Sequence, residues 1–259
     1  MLIDEAALLA ERKARDLNLE TVDTIIGVKY CYVSVRGSLG LEAGVSFVPL
    51  EDLNCTEPLP EPPSPSNIVE YASSTNPLWK TAAVAYINAV SQYLLWKLNH
   101  INEFKLVSLN LIDMLSELIE PENTVVVIGN MEPIVRKLKN TCRELYVLER
   151  NPKMRVGENV YADTAAPRLL GKADVVIVTG ATLVNDTIDH VLALSSKARF
   201  KIVVGPTAGI YPEIFFKYGV DYVASLKVVD YEKVKKCIML GGGRWNFGKW
   251  CKDYVFSSK

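Results

Sequence analysis

Histidine and cysteine are scarce in this chain, and each scarcity removes a class of function. Of 259 residues, two are histidine, His100 and His190, and five are cysteine, at 31, 55, 142, 237 and 251. No cysteine pair forms a C-x-x-C knuckle, and neither histidine is followed three or four residues on by a second histidine or cysteine. A compact zinc site is thereby excluded, and an odd cysteine count makes a poor disulfide framework. No apolar run approaches the roughly 18 to 20 residues that span a bilayer. Met1-Leu2-Ile3-Asp4-Glu5 carries acids where a secretory leader carries bases, so a cytoplasmic protein with no membrane partner is expected. Charge of one sign is also missing: 29 Lys plus Arg face 30 Asp plus Glu, a net −1. That balance argues against nucleic acid, whose phosphates demand a basic excess. There is no G-x-G-x-x-G, no G-x-x-x-x-G-K-[ST] and no G-x-S-x-G. A standard dinucleotide site, a P-loop and a serine-hydrolase elbow all drop out.

Apolar residues are plentiful, at 49%, enough to offset chain entropy in a folded core. Residues 1–118 read as one domain of mixed α and β character. Leu8, Leu9 and Ala10, then Leu17 and Leu19, alternate with charges as on an amphipathic helix. Two β-type runs follow, Ile25 to Val35 and Leu41 to Leu50, joined at Gly37-Ser38-Gly40 in a hairpin. Residues 57–66 hold five of the thirteen prolines and read as a stiff connector. Asn76 and Pro77 then open a long helix from Leu78 to Leu98, poor in charge and therefore buried. His100 ends it, where a cation suits the helix dipole.

Residues 119–259 keep a different rhythm. Thr124–Ile128, Glu144–Leu148, Asp174–Val178, Phe200–Val204 and Tyr222–Val228 are continuous apolar strands, each followed by a loop and a helix. Such runs without alternation belong to a parallel sheet covered on both faces, a doubly wound, Rossmann-like α/β domain. Ligands of these sheets bind outside the carboxyl ends of the strands. The residues at those ends are Gly129, Asn130, Glu149, Asn151, Thr179, Gly180, Thr182, Gly205, Pro206 and Thr207. About half serve as turn formers and helix caps alone. Thr179-Gly180-Ala181-Thr182 and Gly205-Pro206-Thr207 are expected to offer hydroxyls and free N–H groups to an anion ahead of a helix. Glu149 lies at the end of the second strand, where an acid can hold ribose hydroxyls. An adenosyl compound or nucleotide therefore stays open as a ligand, as does a plain salt bridge from Glu149 to Arg150 or Arg168. His190, within a helix, is expected to lie away from the rim. In the tail Gly241-Gly242-Gly243-Arg244-Trp245-Asn246-Phe247-Gly248, Gly243 permits close approach and Arg244 can grip an anion in a bidentate fashion. The alternative is a strap that packs Trp245, Phe247 and Trp250 on the sheet.

Thr75-Asn76-Pro77-Leu78, Val178 to Asn185 (VTGATLVN), Val204-Gly205-Pro206-Thr207 and Gly241-Gly242-Gly243 together resemble the putative heavy-metal chelation family. The resemblance implies an enolase N-terminal-like α+β domain joined to a Rossmann-like domain, with a site in the cleft between them. It also implies a role with heavy metals or metal-bearing small molecules. Two strands, rather than that family's three, are visible in the first half. The rim loops and Asn185 would form the cleft floor, and Arg36, Gly37 and Asn76 its N-terminal wall. Three functions remain open. The first is binding or modifying a small anionic, metal-chelating ligand, with Glu149 or Asp163 completing the shell of a metal ion or chelate. The second is a transferase-like enzyme or sensor for an adenosyl compound. The third is a non-catalytic interaction protein. Homo-oligomers fit any of them.

Overall fold

The protein is described here by a computed structural model covering residues 1–53, 58 and 60–258. Cys55 and part of the proline-rich connector lie outside the described residues.

The first sheet is an antiparallel meander of β1 (Glu20–Ile26), β2 (Tyr30–Gly37) and β3 (Gly40–Phe47). The expected strand Ile25–Val35 is thus two strands, and the lobe has three. The break falls at Gly27-Val28-Lys29, where the Gly27 N–H closes the turn on the Tyr30 carbonyl at 2.9 Å. β-branched Val28 disguises it as strand. A Cβ on Gly27 would stand 2.4 Å from the Ile238 carbonyl oxygen, so the second lobe's packing requires glycine there.

Helix α3 (Pro77–Gln92) lies on this sheet, and α1 (Leu2–Asp16) and α2 (Ile68–Ser73) pack against α3 and each other. α1 buries Leu2, Ile3, Ala6, Ala7, Ala10 and Ala14 on a single stripe, the spacing of an amphipathic helix. α3 starts as its sequence dictates: the Asn76 side chain accepts from the N–H groups of Leu78 and Trp79, and Pro77 sits in the first turn. Every residue from Lys80 to Gln92 is buried. The helix continues through a π turn, Tyr93–Lys97, close to the expected end at Leu98. Gly44 of β3 lets it lie flat on the sheet, for a Cβ there would be 2.3 Å from both the Ala85 oxygen and the Ala89 nitrogen.

The second sheet has eight strands. In chain order they are β4 (Lys105–Leu106), β5 (Thr124–Ile128), β6 (Glu144–Glu149), β7 (Val160–Ala162), β8 (Val175–Thr179), β9 (Phe200–Val204), β10 (Tyr222–Val228) and β11 (Cys251–Ser257). The five expected strands are all present. Their spatial order, β7-β6-β5-β8-β9-β10, is entirely parallel. It is the 3-2-1-4-5-6 order of a doubly wound sheet, with its switch point between β5 and β8. Antiparallel β11 and then β4 extend the far edge. The intervening helices are α4 (Leu111–Leu118), α5 (Glu132–Leu138), α6 (Ala166–Leu170), α7 (Ile188–Leu194), α8 (Pro212–Lys217), α9 (Tyr231–Met239) and α10 (Arg244–Phe247). β4 and α4 precede residue 119 yet pack with the second sheet: β4 pairs with β11, and Met114 and Leu115 of α4 join Val125 and Val127 in one cluster.

The lobes are joined through α3. The Asn88 amide donates to Val45 O of β3 at 2.8 Å and to Thr207 O of the second lobe at 3.0 Å. Gln92 donates to Gly209 O, the Ser91 hydroxyl accepts from Tyr211 N, and Lys80 pairs with Asp186. One apolar cluster runs from Leu2 through α3 to Val178 and Val223. No helix of the described residues is long and apolar enough to cross a membrane.

Candidate functional site

The loops at the carboxyl ends of β5, β6, β8 and β9 face the first lobe across a cleft of about 900 Å³. The sheet's strand order puts it there, because chain connections diverge at the β5/β8 switch point and leave a crevice between them. Gly129, Asn130, Glu149, Asn151, Thr179, Gly180, Thr182, Asn185, Gly205, Pro206 and Thr207 all line it, as does Asp163. The rim residues expected from the strand ends are thus brought together.

The loops are tightly closed. Gly129 has φ of +90° and a Cβ there would press within 2.9 Å of the Thr179 methyl; Gly180 lies against Thr207 and Ala208 with room for no side chain. Glu149 accepts from the N–H of Asn130 at 2.7 Å through one carboxylate oxygen and from the N–H of Asn151 at 2.8 Å through the other. It clamps two rim loops and forms no salt bridge to Arg150 or Arg168. Arg150 pairs instead with Asp52 of the first lobe at 3.0 Å. Arg155 donates to the carbonyls of Glu149 and Arg150 at 2.7 and 2.6 Å, locking the same loop from beneath.

Part of the expected N–H cradle is consumed. Met131 N bonds Gly129 O, Gly205 N bonds Ala224 O, Ala208 N bonds Gly205 O, and Ala181 N bonds the Thr179 hydroxyl oxygen. Short 3₁₀ turns follow β8 and β9, spanning Gly180–Leu183 and Pro206–Ala208, where the sequence suggests helix starts. The Thr182 hydroxyl is spent on Thr179 O at 2.7 Å, and the Thr207 hydroxyl accepts from Phe47 N at 2.9 Å, bridging the lobes. Formal positive charge comes from side chains: Lys29 and Arg150 line the cleft, together with the imidazole of His190. His190 stands at the cleft wall, one helical turn from the rim, so its expected distance from the site is corrected.

The N-terminal wall differs from expectation. It is built from Val28-Lys29-Tyr30 at the β1–β2 turn and Phe47 to Glu51 after β3. Arg36 and Gly37 lie at the opposite end of the meander, with Gly37 packed against Leu19 and Tyr93. Asn76 is occupied in capping α3 and donates to Pro58 O. Gly243 sits behind Lys29, where a Cβ would stand 3.1 Å from the lysine side chain, and does not line the cleft. Arg244 donates from a single guanidinium nitrogen to both carboxylate oxygens of Asp253, at 2.7 and 2.8 Å, and faces a separate cavity of about 470 Å³ beyond Gly205-Pro206. The tail is a strap only in part: Phe247 is buried, but Trp245 is 80% exposed.

The walls are mainly apolar, contributed by Val28, Tyr30, Val48, Leu50, Met131 and Met154. Burial pushes the Tyr30 phenol up to about 12, so it stays neutral. The donors do not suit a bare heavy-metal ion, which takes thiolate or imidazole ligands. No cysteine lines the cleft among the described residues, and His190 is its one imidazole there. Elsewhere, burial raises the thiols of Cys31, Cys142 and Cys251, the last to about 12, and keeps them protonated. No group of three or more His, Cys, Asp or Glu positioned for a metal occurs among the described residues.

Comparison with known proteins agrees with this architecture. Two family profiles, both described as putative heavy-metal chelation, match residues 9–91 and 110–257. An uncharacterized protein of Methanocaldococcus jannaschii is 34% identical over 245 residues, 87% of this chain and 88% of its own. The crystal structure of a protein of unknown function from Pyrococcus horikoshii, assigned to the family matched over 110–257, superposes with a TM-score of 0.85 at 31% identity, covering 99% of this chain and 100% of that one. Another, from Desulfitobacterium hafniense, shares the fold at 17% identity, with a TM-score of 0.74 and coverage of 97% and 98%. By its two matching profiles and its 34% identity to a full-length relative, the chain belongs to the putative heavy-metal chelation family.

Proposed function

We propose that the cleft binds a small organic molecule with an apolar body and anionic groups, and that a metal enters it only as part of such a chelate. One observation carries this reading. A cleft of about 900 Å³ at a Rossmann switch point is walled by apolar side chains, carries Lys29, His190 and the Asp52-paired Arg150 beside the acids Glu51 and Asp163, and is free of thiols among the described residues. Its volume suits a ligand of drug-like size. The apolar walls take up the ligand's body, and Lys29 and Arg150 with the Asn130, Asn151 and Asn185 amides fix its acids. Glu149 acts from behind, holding the Asn130 and Asn151 loops in register.

A second reading is an adenosyl compound. The 3-2-1-4-5-6 strand order and the acid after the second strand favour it. Against it, both Glu149 oxygens already accept backbone N–H groups.

Calorimetry on protein purified without chelators tests both. The panel is cobalt(II) and zinc(II) alone, dipicolinate with and without each metal, and S-adenosylmethionine. Dipicolinate and its chelates are expected to bind and the bare metals to give no heat. Glu149→Ala is expected to weaken that binding about tenfold or more, as loss of a loop-positioning contact does. Tight binding of a bare metal, or no heat from any dipicolinate form, overturns the proposal. Heat from S-adenosylmethionine alone hands the site to the second reading.

A further inference from the structure

The glycine-rich tail does not reach the cleft, yet it builds a distinct feature beside it. α9 ends in Met239 and Leu240, the chain turns through Gly241-Gly242-Gly243, and α10 presents Trp245. Their exposures are 62% for Met239, 79% for Leu240 and 80% for Trp245. Val28, 55% exposed, adjoins them, since a Cβ on Gly241 would lie 3.5 Å from its methyl. Large side chains exposed to this degree and grouped together mark an interaction surface.

The charge around this knob is one-sided. The acids of the corner are spent: Asp230 on Lys233, Glu232 on Lys235, and Asp253 on Arg244. Lys29 and Lys236 are exposed and form no ion pair among the described residues, and the exposed Lys249 lies over the Trp250 ring, 4.6 Å from its centroid. Lys236 lies one turn before Leu240, on its side of α9, and Lys29 backs onto Gly243. Apolar tips flanked by the exposed Lys29 and Lys236 are complementary to a surface that is apolar inside and negative outside.

We infer that this corner docks on an anionic lipid surface, Trp245 and Leu240 entering the headgroup region while the lysines meet phosphates. The shape favours lipid over a protein. Side chains that protrude to about four-fifths of their full exposure require a fitted socket on a protein partner, whereas a bilayer deforms around them. An isologous contact with a second copy would set the same lysines against each other. The absence of a bilayer-spanning run, which leads to the expectation of no membrane partner, has no bearing on interfacial docking. The inference is independent of what the cleft holds, although Val28 and Lys29 line both features, so the docked protein would present its cleft mouth toward the lipid.

Vesicle co-sedimentation decides the matter, comparing pure phosphatidylcholine with phosphatidylcholine containing about 30% phosphatidylglycerol. Binding is expected to the anionic vesicles alone, with a blue shift of tryptophan fluorescence that Trp245→Ser abolishes. The double variant Leu240→Ser, Trp245→Ser is expected to lose binding about tenfold or more, with unchanged circular dichroism. Lys236→Glu is expected to lose about fivefold or more, the effect of a lysine near a charged surface. No sedimentation with either vesicle, or binding that survives Trp245→Ser, overturns the inference. So does a dimer in solution light scattering that Trp245→Ser dissolves, which would assign the knob to a second copy.

Discussion

Glu42 is the residue whose surroundings most sharply oppose its chemistry. It lies on β3 with no exposure, and its carboxylate faces the Tyr231 hydroxyl of the second lobe. The ammonium groups of Lys227 and Lys97 stand 3.6 and 3.8 Å away, one from each side of the lobe seam. Burial outweighs their attraction and holds the carboxyl above its usual value of 4.5. A carboxyl raised in this way binds more protons folded than unfolded, so stability falls as pH climbs from about 4.5 through the raised value. Glu42→Gln is therefore expected to be more stable than the parent at pH 8, by about 1–3 kcal/mol, and no more stable at pH 4. Urea unfolding across that range checks it; a parent that is the more stable at pH 8 would mean that the lysines win. Nothing in the local sequence, Gly40-Leu41-Glu42-Ala43, announces this. Its alternation is that of any half-buried strand, and burial on the second side comes from β10 of the other lobe.

Among the elements, those that declare themselves do so through composition. β5, β8 and β9 are runs of valine and isoleucine, and no other element tolerates that density of β-branching on both faces. β7 spans only Val160–Ala162, and β11 has lysine and aspartate in its first half, so neither stands out from loop or strap. The floor of the cleft is legible for a topological reason: parallel strands must deliver their ends to one edge. The opposite wall is not. A meander has two ends, and periodicity within β1 to β3 cannot say which end meets the other lobe. Docking of α3 and α9 brings Val28 and Lys29 to the cleft and leaves Arg36 and Gly37 remote. Asn76 tests this assignment. Asn76→Ala is expected to lower stability by about 1 kcal/mol through loss of the α3 cap, while leaving ligand affinity unchanged. A calorimetric titration of that variant showing weakened binding would return Asn76 to the site.

Taken whole, the molecule is less divided than its two sheets suggest. The main apolar cluster draws on α1, β2, α3, β5, β8 and β10 together, and α3 is buried on all sides because each lobe covers what the other leaves bare. One calorimetric transition is accordingly expected, with the van't Hoff and calorimetric enthalpies equal. Residues 119–259 expressed alone are expected to remain insoluble or molten, since the backbone groups of Thr207, Gly209 and Tyr211 would lose their partners on α3 and the shared apolar cluster would be opened. Two resolved transitions, or a folded fragment, would contradict this.

A shared spine also constrains how anything enters or leaves. Two lobes that pivot about a flexible strand can gape like a clam, but here opening would strip a helix of buried neighbours along its length. Traffic must instead pass by small excursions of the lips around Leu50 and Met154, each about half exposed. The radius of gyration in solution scattering should then be the same with the chamber filled or empty, with exchange timed by local breathing rather than domain motion.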